Sequence, residues 1–290
     1  MDFIVKFALV IFIVSCVVSS THEILISDSD GLRFPPVSRH YSSLFLKSLN
    51  SKSTLDLKFH SSLPTEIKKK TRGSRGGVRI KNRKRKFRPY LPSVVTGNAQ
   101  SLKNKFDELS ANSKFLREYR NACIMCFSET WFNDKVTDEI ASIDGFVLAR
   151  KDRSKEESGG KERAGGVCIY VNERWCHKNN VHVTDSMGTP DIELLTVVCR
   201  PFYLPREFPK ITVNVVYIHP NADYTEAIKI ITDKVHAQQT ACPDGVIFVT
   251  GDFNESSLSK SLPSFEQHIT IPTRKDKIID HFYSNVKKRL

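Results

Sequence analysis

The chain has 290 residues, 40% hydrophobic and 26% charged, a balance that supplies one sizeable core and excludes collagen-like, coiled-coil and wholly disordered organisations. Its formal net charge of +12 is concentrated: twelve Lys and Arg and no acid fall within residues 68–88, and outside that run bases and acids balance at 32 each. The protein reads as a neutral globule with one basic arm, which implies a polyanionic partner, a nuclear import signal or both, a solvated tail being the plain alternative.

Residues 3–18 are almost all apolar, broken by Lys6 and Ser15. That is short for a membrane span, which needs about 20 residues. The stretch looks like a secretory h-region followed by small residues at Val18-Ser19-Ser20, so residues 1–20 are read as a signal-like segment, although Asp2 makes a poor n-region. Residues 21–89 are rich in Ser, Lys and Arg without sustained periodicity and are read as largely disordered. They end in the basic run at 68–88, where Arg83, Lys84, Arg85 and Lys86 are the candidate nucleic-acid contacts, acting through phosphates.

From residue 90 to 290, short apolar runs alternate with helical patterns. Strands are predicted at 91–97, 122–127, 166–171, 192–199, 211–217, 245–250 and 278–283. Helices are predicted at 103–120, with Phe106, Leu109, Leu116 and Tyr119 on one face, and at 224–238, with Ala227, Ile228, Ile231 and Val235 on one face and Asp223 as N-cap. This alternation predicts an α/β domain. Ser158-Gly159-Gly160 reads as a flexible charged loop. Gly165-Gly166 has no helix after it and is not a dinucleotide fingerprint. Seven cysteines are too sparse for a disulfide scaffold. Cys123 and Cys126 form a CxxC with no second copy; within a buried strand, residues three apart face opposite ways, so core thiols are expected.

The polar chemistry lies where these runs stop. Asn98 follows the first, Glu129 the second and His219 the fifth, whose last residue is Tyr217; Asp252 and Asn254 follow the sixth, and Asp280 lies in the seventh. Strand ends form a common rim in α/β proteins, the usual place for a site. Such a rim offers carboxylates, carboxamides and a phenol, with no Ser/His/Asp order and no nucleophile elbow. Those are hard oxygen ligands suited to Mg²⁺, with donors suited to phosphate. Singly, each is as readily a turn former. The order Asn, Glu, Tyr, Asp-x-Asn, Asp at separations of 31, 88, 35 and 28 residues is more specific.

That set resembles the endonuclease/exonuclease/phosphatase family, and residues from about 73 onward look like the endonuclease domain of LINE-type retrotransposons. The strings that carry this are residues 79–92 (RIKNRKRKFRPYLP), Gly97-Asn98-Ala99-Gln100-Ser101-Leu102, residues 125–131 (MCFSETW), 190–195 (PDIELL), 200–208 (RPFYLPREF), 250–254 (TGDFN) and 277–283. The resemblance implies a two-sheet, DNase I-like α/β sandwich and Mg²⁺-dependent cleavage of DNA, with Mn²⁺ as an alternative ion. It implies Glu129 as metal ligand with Asn98 beside it, Tyr217 at the scissile phosphate, and Asp252 as the group that positions or deprotonates water. Asn254 would bind phosphate oxygens, and Asp280 would orient a catalytic histidine.

The family's later Ser-Asp-His string is absent from these 290 residues. His281 follows Asp280 and must face the other way on a strand, and His219 is nearer the rim. The reading is therefore a truncated domain, weak or inactive in catalysis, with its last strands missing and a sheet edge left unpaired. The alternatives are a secreted or membrane-associated phosphodiesterase or phosphatase of the same superfamily, and a non-catalytic nucleic-acid-binding remnant. The basic run and the resemblance imply the nucleus; the first 20 residues imply the secretory route.

Overall fold

The computed structural model describes residues 10–13, 91–160 and 164–286. Arg83, Lys84, Arg85, Lys86, the rest of the basic run and the segment read as disordered lie outside the described residues. Among the described residues, strands β1 (Val10–Ile13), β2 (Ser93–Asn98), β3 (Ile124–Ser128), β5 (Val167–Asn172) and β4 (Phe146–Lys151) form one sheet in that order. The second runs β10 (Glu266–Gln267), β11 (Asp280–Ser284), β9 (Val246–Asp252), β8 (Ile211–Ile218), β7 (Ile192–Cys199) and β6 (Val181–Gly188). Four residues of the signal-like stretch thus pair antiparallel with β2. No helix among the described residues is long and apolar enough to cross a membrane.

Each sheet contains one parallel pair, β2 with β3 and β8 with β9. A parallel pair needs a crossover, and the helices supply it. Helices α1 (Leu102–Phe115) and α2 (Arg117–Asn121) join β2 to β3, and α3 (Tyr224–Ala241) joins β8 to β9. The Asp223 carboxylate accepts from the amides of Thr225 and Glu226, capping α3 as the sequence predicts. The single helix predicted at 103–120 is instead two, because Leu116 turns to φ −86°, ψ 126°.

Strand alternation sorts the side chains into three layers. Val94, Ile124, Ile169, Leu195, Val213, Val215, Phe248 and Phe282 fill the space between the sheets. Val95, Met125, Phe127 and Tyr170 face Leu102, Leu109 and Tyr119 on the outer side of the first sheet. Leu194, Val216, Ile247 and Val249 face Ala227, Ile231 and Val235 of α3. Each fully buried Leu, Val or Phe stabilises the fold by about 1.5–3 kcal/mol. Cys123 and Cys126 are free, buried thiols as expected. They line the same inter-sheet cluster rather than opposite faces, because β3 begins at Ile124 and Cys123 precedes its alternation.

The edge expected beside the last strand is covered. β10 pairs with β11, Gln267 Oε1 accepts from the Phe282 amide at 2.9 Å, and the His268 amide donates to the Phe282 carbonyl at 2.9 Å. These bonds satisfy both main-chain groups of Phe282 and leave the two-residue β10 as the edge strand of the sheet.

Candidate active site

The same alternation lifts a polar ladder out of the inter-sheet core. Two residues above Val94 stands Thr96, and two above that Asn98; on β9 the sequence is Phe248, Thr250, Asp252. Thr96 and Thr250 share a hydroxyl hydrogen bond of 2.8 Å across the sheets. One rung higher, the Asn98 amide Nδ2 donates to Glu129 Oε1 at 2.8 Å and to Asp252 Oδ2 at 2.7 Å. Asn98 Oδ1 accepts from the Gln100 amide at 2.9 Å, which fixes the orientation of the carboxamide. Register assembles the rest: Asn98 lies opposite Ser128, Tyr217 opposite Asp252, and Asp280 opposite Asp252. Asn254 follows in an αL turn (φ 49°); its amide N–H donates to Asp252 Oδ1 at 2.9 Å and its Nδ2 to the Ile218 carbonyl at 2.6 Å. The six rim residues singled out in the sequence therefore meet at the strand ends of both sheets.

The electrostatics are strained. Asp252 and Asp280 are 1% and 2% exposed. Burial first, then the charge of Glu129, pushes the Asp252 carboxyl up to about 6, although bonds from Asn254 and Asn98 hold it down. Burial and the neighbouring Asp252 push Asp280 up to about 7, opposed by bonds from Thr273 and Asn98 and by the Arg274 charge. Asp280 Oδ1 is buried with no hydrogen-bond partner among the described residues. Tyr217 is buried, and its phenol lies well above its ordinary range, through desolvation and the charges of Glu129 and Asp252; it is a neutral donor.

Three features of the site are absent from the sequence reading. Glu193, inward on apolar β7 and opposite Tyr217, forms a buried ion pair with Arg153 and also accepts from the Gly166 amide. The Arg153 guanidinium lies 5.7 Å from the centre of the Tyr217 ring, a cation–π distance that fixes the phenol from its face. Gly165-Gly166, read only as a non-motif, is the backing of the Glu129 turn: the Thr130 and Trp131 amides donate to the Gly166 and Gly165 carbonyls at 3.1 and 2.9 Å. A Cβ at Gly166, where φ is +83°, would stand 2.4 Å from Thr130 Oγ1. An acid inside Ile192–Cys199 was the available signal for Glu193, since a buried carboxylate needs a partner.

The two candidate histidines have different surroundings. His281 faces outward as alternation predicts: it stacks on Phe253 at 4.9 Å, and its nitrogens lie 2.9 Å from the Tyr283 hydroxyl and 3.1 Å from the Ile278 carbonyl. Burial pushes its pKa down, so it is a neutral packed ring. His219 Nδ1 accepts from the Asn221 amide at 3.2 Å in the turn after β8.

Two mixed sheets packed face to face, with a carboxylate–carboxamide cluster on their common rim, define a DNase I-like sandwich. The chain belongs to the endonuclease/exonuclease/phosphatase family, whose model matches residues 95–285. No curated protein matches it. Among solved structures, it is similar to the human Nocturnin catalytic domain with bound sulfate (12% identity, TM-score 0.43, covering 66% of this chain and 80% of that one). It is similar also to D. rerio TDP2 complexed with single-strand DNA product (10%, 0.43, 66% and 82%). A third is the Neisseria 3′ phosphatase NExo bound to a product DNA hairpin (14%, 0.42, 67% and 86%).

Proposed function

We propose that the chain is a Mg²⁺-dependent phosphodiesterase that nicks DNA, of LINE-type retrotransposon origin. The observation that carries the chemistry is the single amide of Asn98 held between Glu129 and Asp252. It gathers one carboxylate from each side of the inter-sheet cleft, with Asp280 behind them.

The donor set fits a hydrated divalent ion. Three carboxylates share the rim, two carry raised proton affinities through burial and mutual repulsion, and Asp280 Oδ1 has no partner. Among the described residues no three His, Cys, Asp or Glu side chains converge to enclose a metal. An ion here would keep several waters, as Mg²⁺ does, with Mn²⁺ as the alternative. Glu129 would hold it, with the remaining lone pair of Asn98 Oδ1. When bound, such an ion neutralises charge on the phosphate oxygens.

The chain's own groups do the rest. Asp252 has one bond on each oxygen and a proton affinity raised by burial to about 6, which suits a base that orients water and accepts its proton. The Tyr217 hydroxyl and the second amide hydrogen of Asn254 are donors for phosphate oxygens. No Ser-Asp-His string occurs within these 290 residues and His281 packs outward, so no histidine is assigned a role at the phosphate.

DNA is the favoured substrate because of the basic run at 68–88 and the LINE-type strings. The test is a substrate panel of supercoiled plasmid, sphingomyelin vesicles and inositol phosphates, each with Mg²⁺ and with EDTA. Mg²⁺-dependent plasmid nicking supports the proposal. Turnover of the phospholipid or inositol substrate alone overturns it in favour of the secreted phosphodiesterase suggested by the first 20 residues.

A further inference from the structure

Glu129, Thr130 and Trp131 form a pinned turn at the rim. Thr130 is fully buried, whereas Glu129 is half-buried and Trp131 is 38% exposed, so the residues on either side of Thr130 are the ones open to solvent. Both take positive φ, 52° at Glu129 and 56° at Trp131. For a bulky residue that region is an outlier, held only where the surroundings over-determine it. Here they do. The Glu129 and Thr130 carbonyls accept from the Ser101 and Lys103 amides at 2.9 and 3.0 Å, and on the other flank the Thr130 and Trp131 amides donate to Gly166 and Gly165. Main-chain bonds from two separate segments thus fix the turn that carries a partly exposed indole two residues from Glu129.

Resting on the nuclease reading, we infer that Trp131 is a stacking platform for the nucleobase that flanks the phosphate held at Asn98, Glu129 and Asp252. Two residues of chain span at most about 7 Å, so the Trp131 backbone lies within that distance of Glu129 and its indole is within reach of a base carried by that phosphate's own sugar. Every base has a π-face, and stacking on an aromatic side chain is tolerant of sequence. The rim thereby supplies contact to the base as well as to the phosphate. A nucleic acid with an unstacked base at the cut site is the ligand this arrangement selects over a base-free phosphodiester.

The chain has two tryptophans, and Trp175 is 1% exposed, so indole emission that responds to a ligand at the surface reports Trp131. The experiment uses the full chain in EDTA with a fluorescein-labelled single-stranded oligodeoxynucleotide and an abasic oligonucleotide of equal length. Anisotropy reads total binding. The unlabelled oligonucleotides are used for tryptophan emission. The expected result is quenching by the base-bearing strand and none by the abasic strand. Trp131→Ala should weaken the base-bearing strand about 5–150-fold and leave the abasic strand unchanged, with Trp131→Phe close to wild type. If the base-bearing strand binds by anisotropy but emission and the Trp131→Ala affinity do not change, the stacking role is overturned and the nuclease reading stands. If neither strand binds by anisotropy, both fall together.

Discussion

Neutralising Asp280 should make the metal-free protein more stable and more indifferent to pH. Asp280 is 2% exposed, its register partner is Asp252, and one of its oxygens has no hydrogen bond. Burial and that neighbouring charge raise its folded proton affinity to about 7. A carboxyl raised in the folded state contributes stability that is fully present below its unfolded value, near pH 4, and is lost as pH rises through the folded value. The loss therefore falls between about pH 4 and pH 7 and is complete by pH 8. Three decades of proton affinity at about 1.36 kcal/mol each give a cost on the order of 4 kcal/mol. Asp280→Asn removes the charge and keeps the shape. In EDTA it should raise Tm at pH 8 by roughly 8–16 °C, and by much less at pH 5. Adding Mg²⁺ at pH 8 should stabilise the wild type more than the variant, because the ion offsets a repulsion the variant lacks. Thermal unfolding at both pH values, with and without Mg²⁺, reads all of this. Superimposed curves for variant and wild type would refute the repulsive carboxylate pair on which the metal assignment depends.

Glu129→Gln should bind Mg²⁺ far more weakly than wild type in a calorimetric titration; equal affinity would remove Glu129 from the role. Glu193→Gln leaves Arg153 buried without its counter-charge, so it should cost about 3–5 kcal/mol in urea unfolding, against near-neutral surface changes such as Lys229→Gln. Replacing Arg83, Lys84, Arg85 and Lys86 with Ser should flatten the salt dependence of DNA binding, since fewer counterions are released. An unchanged slope would assign the basic run to another task, such as nuclear import.

The parts of the molecule legible in the sequence are those where local pattern and tertiary role agree. The seven apolar runs became β2, β3, β5, β7, β8, β9 and β11 because each is an inner or paired strand with its apolar side chains buried. The rim residues were legible because each sits where such a run stops, and the outward turn of His281 follows from period-two alternation. The strands missed are chiefly those at sheet edges. β6 (Val181–Gly188) has no buried residue and no apolar run, and β4 (Phe146–Lys151) has only the four apolar residues 146–149 before Arg-Lys, the short end of a strand pattern. β10, two residues long, has no pattern to read, which is why the sheet edge looked open. The break at Leu116 has no Gly or Pro to announce it. The Arg153–Glu193 pair joins residues 40 apart, and only the packing of β7 beside the Gly165-Gly166 turn brings them together.

The central claim is that Asn98, Glu129 and Asp252 form one metal-dependent phosphodiesterase centre. Nicking of supercoiled plasmid by wild type and Asp252→Asn, each in Mg²⁺ and in EDTA, tests it most directly. The account predicts Mg²⁺-dependent nicking by the wild type, abolished by EDTA and reduced at least ~10²-fold by the substitution. Nicking that persists in EDTA, or that Asp252→Asn leaves unchanged, would contradict it.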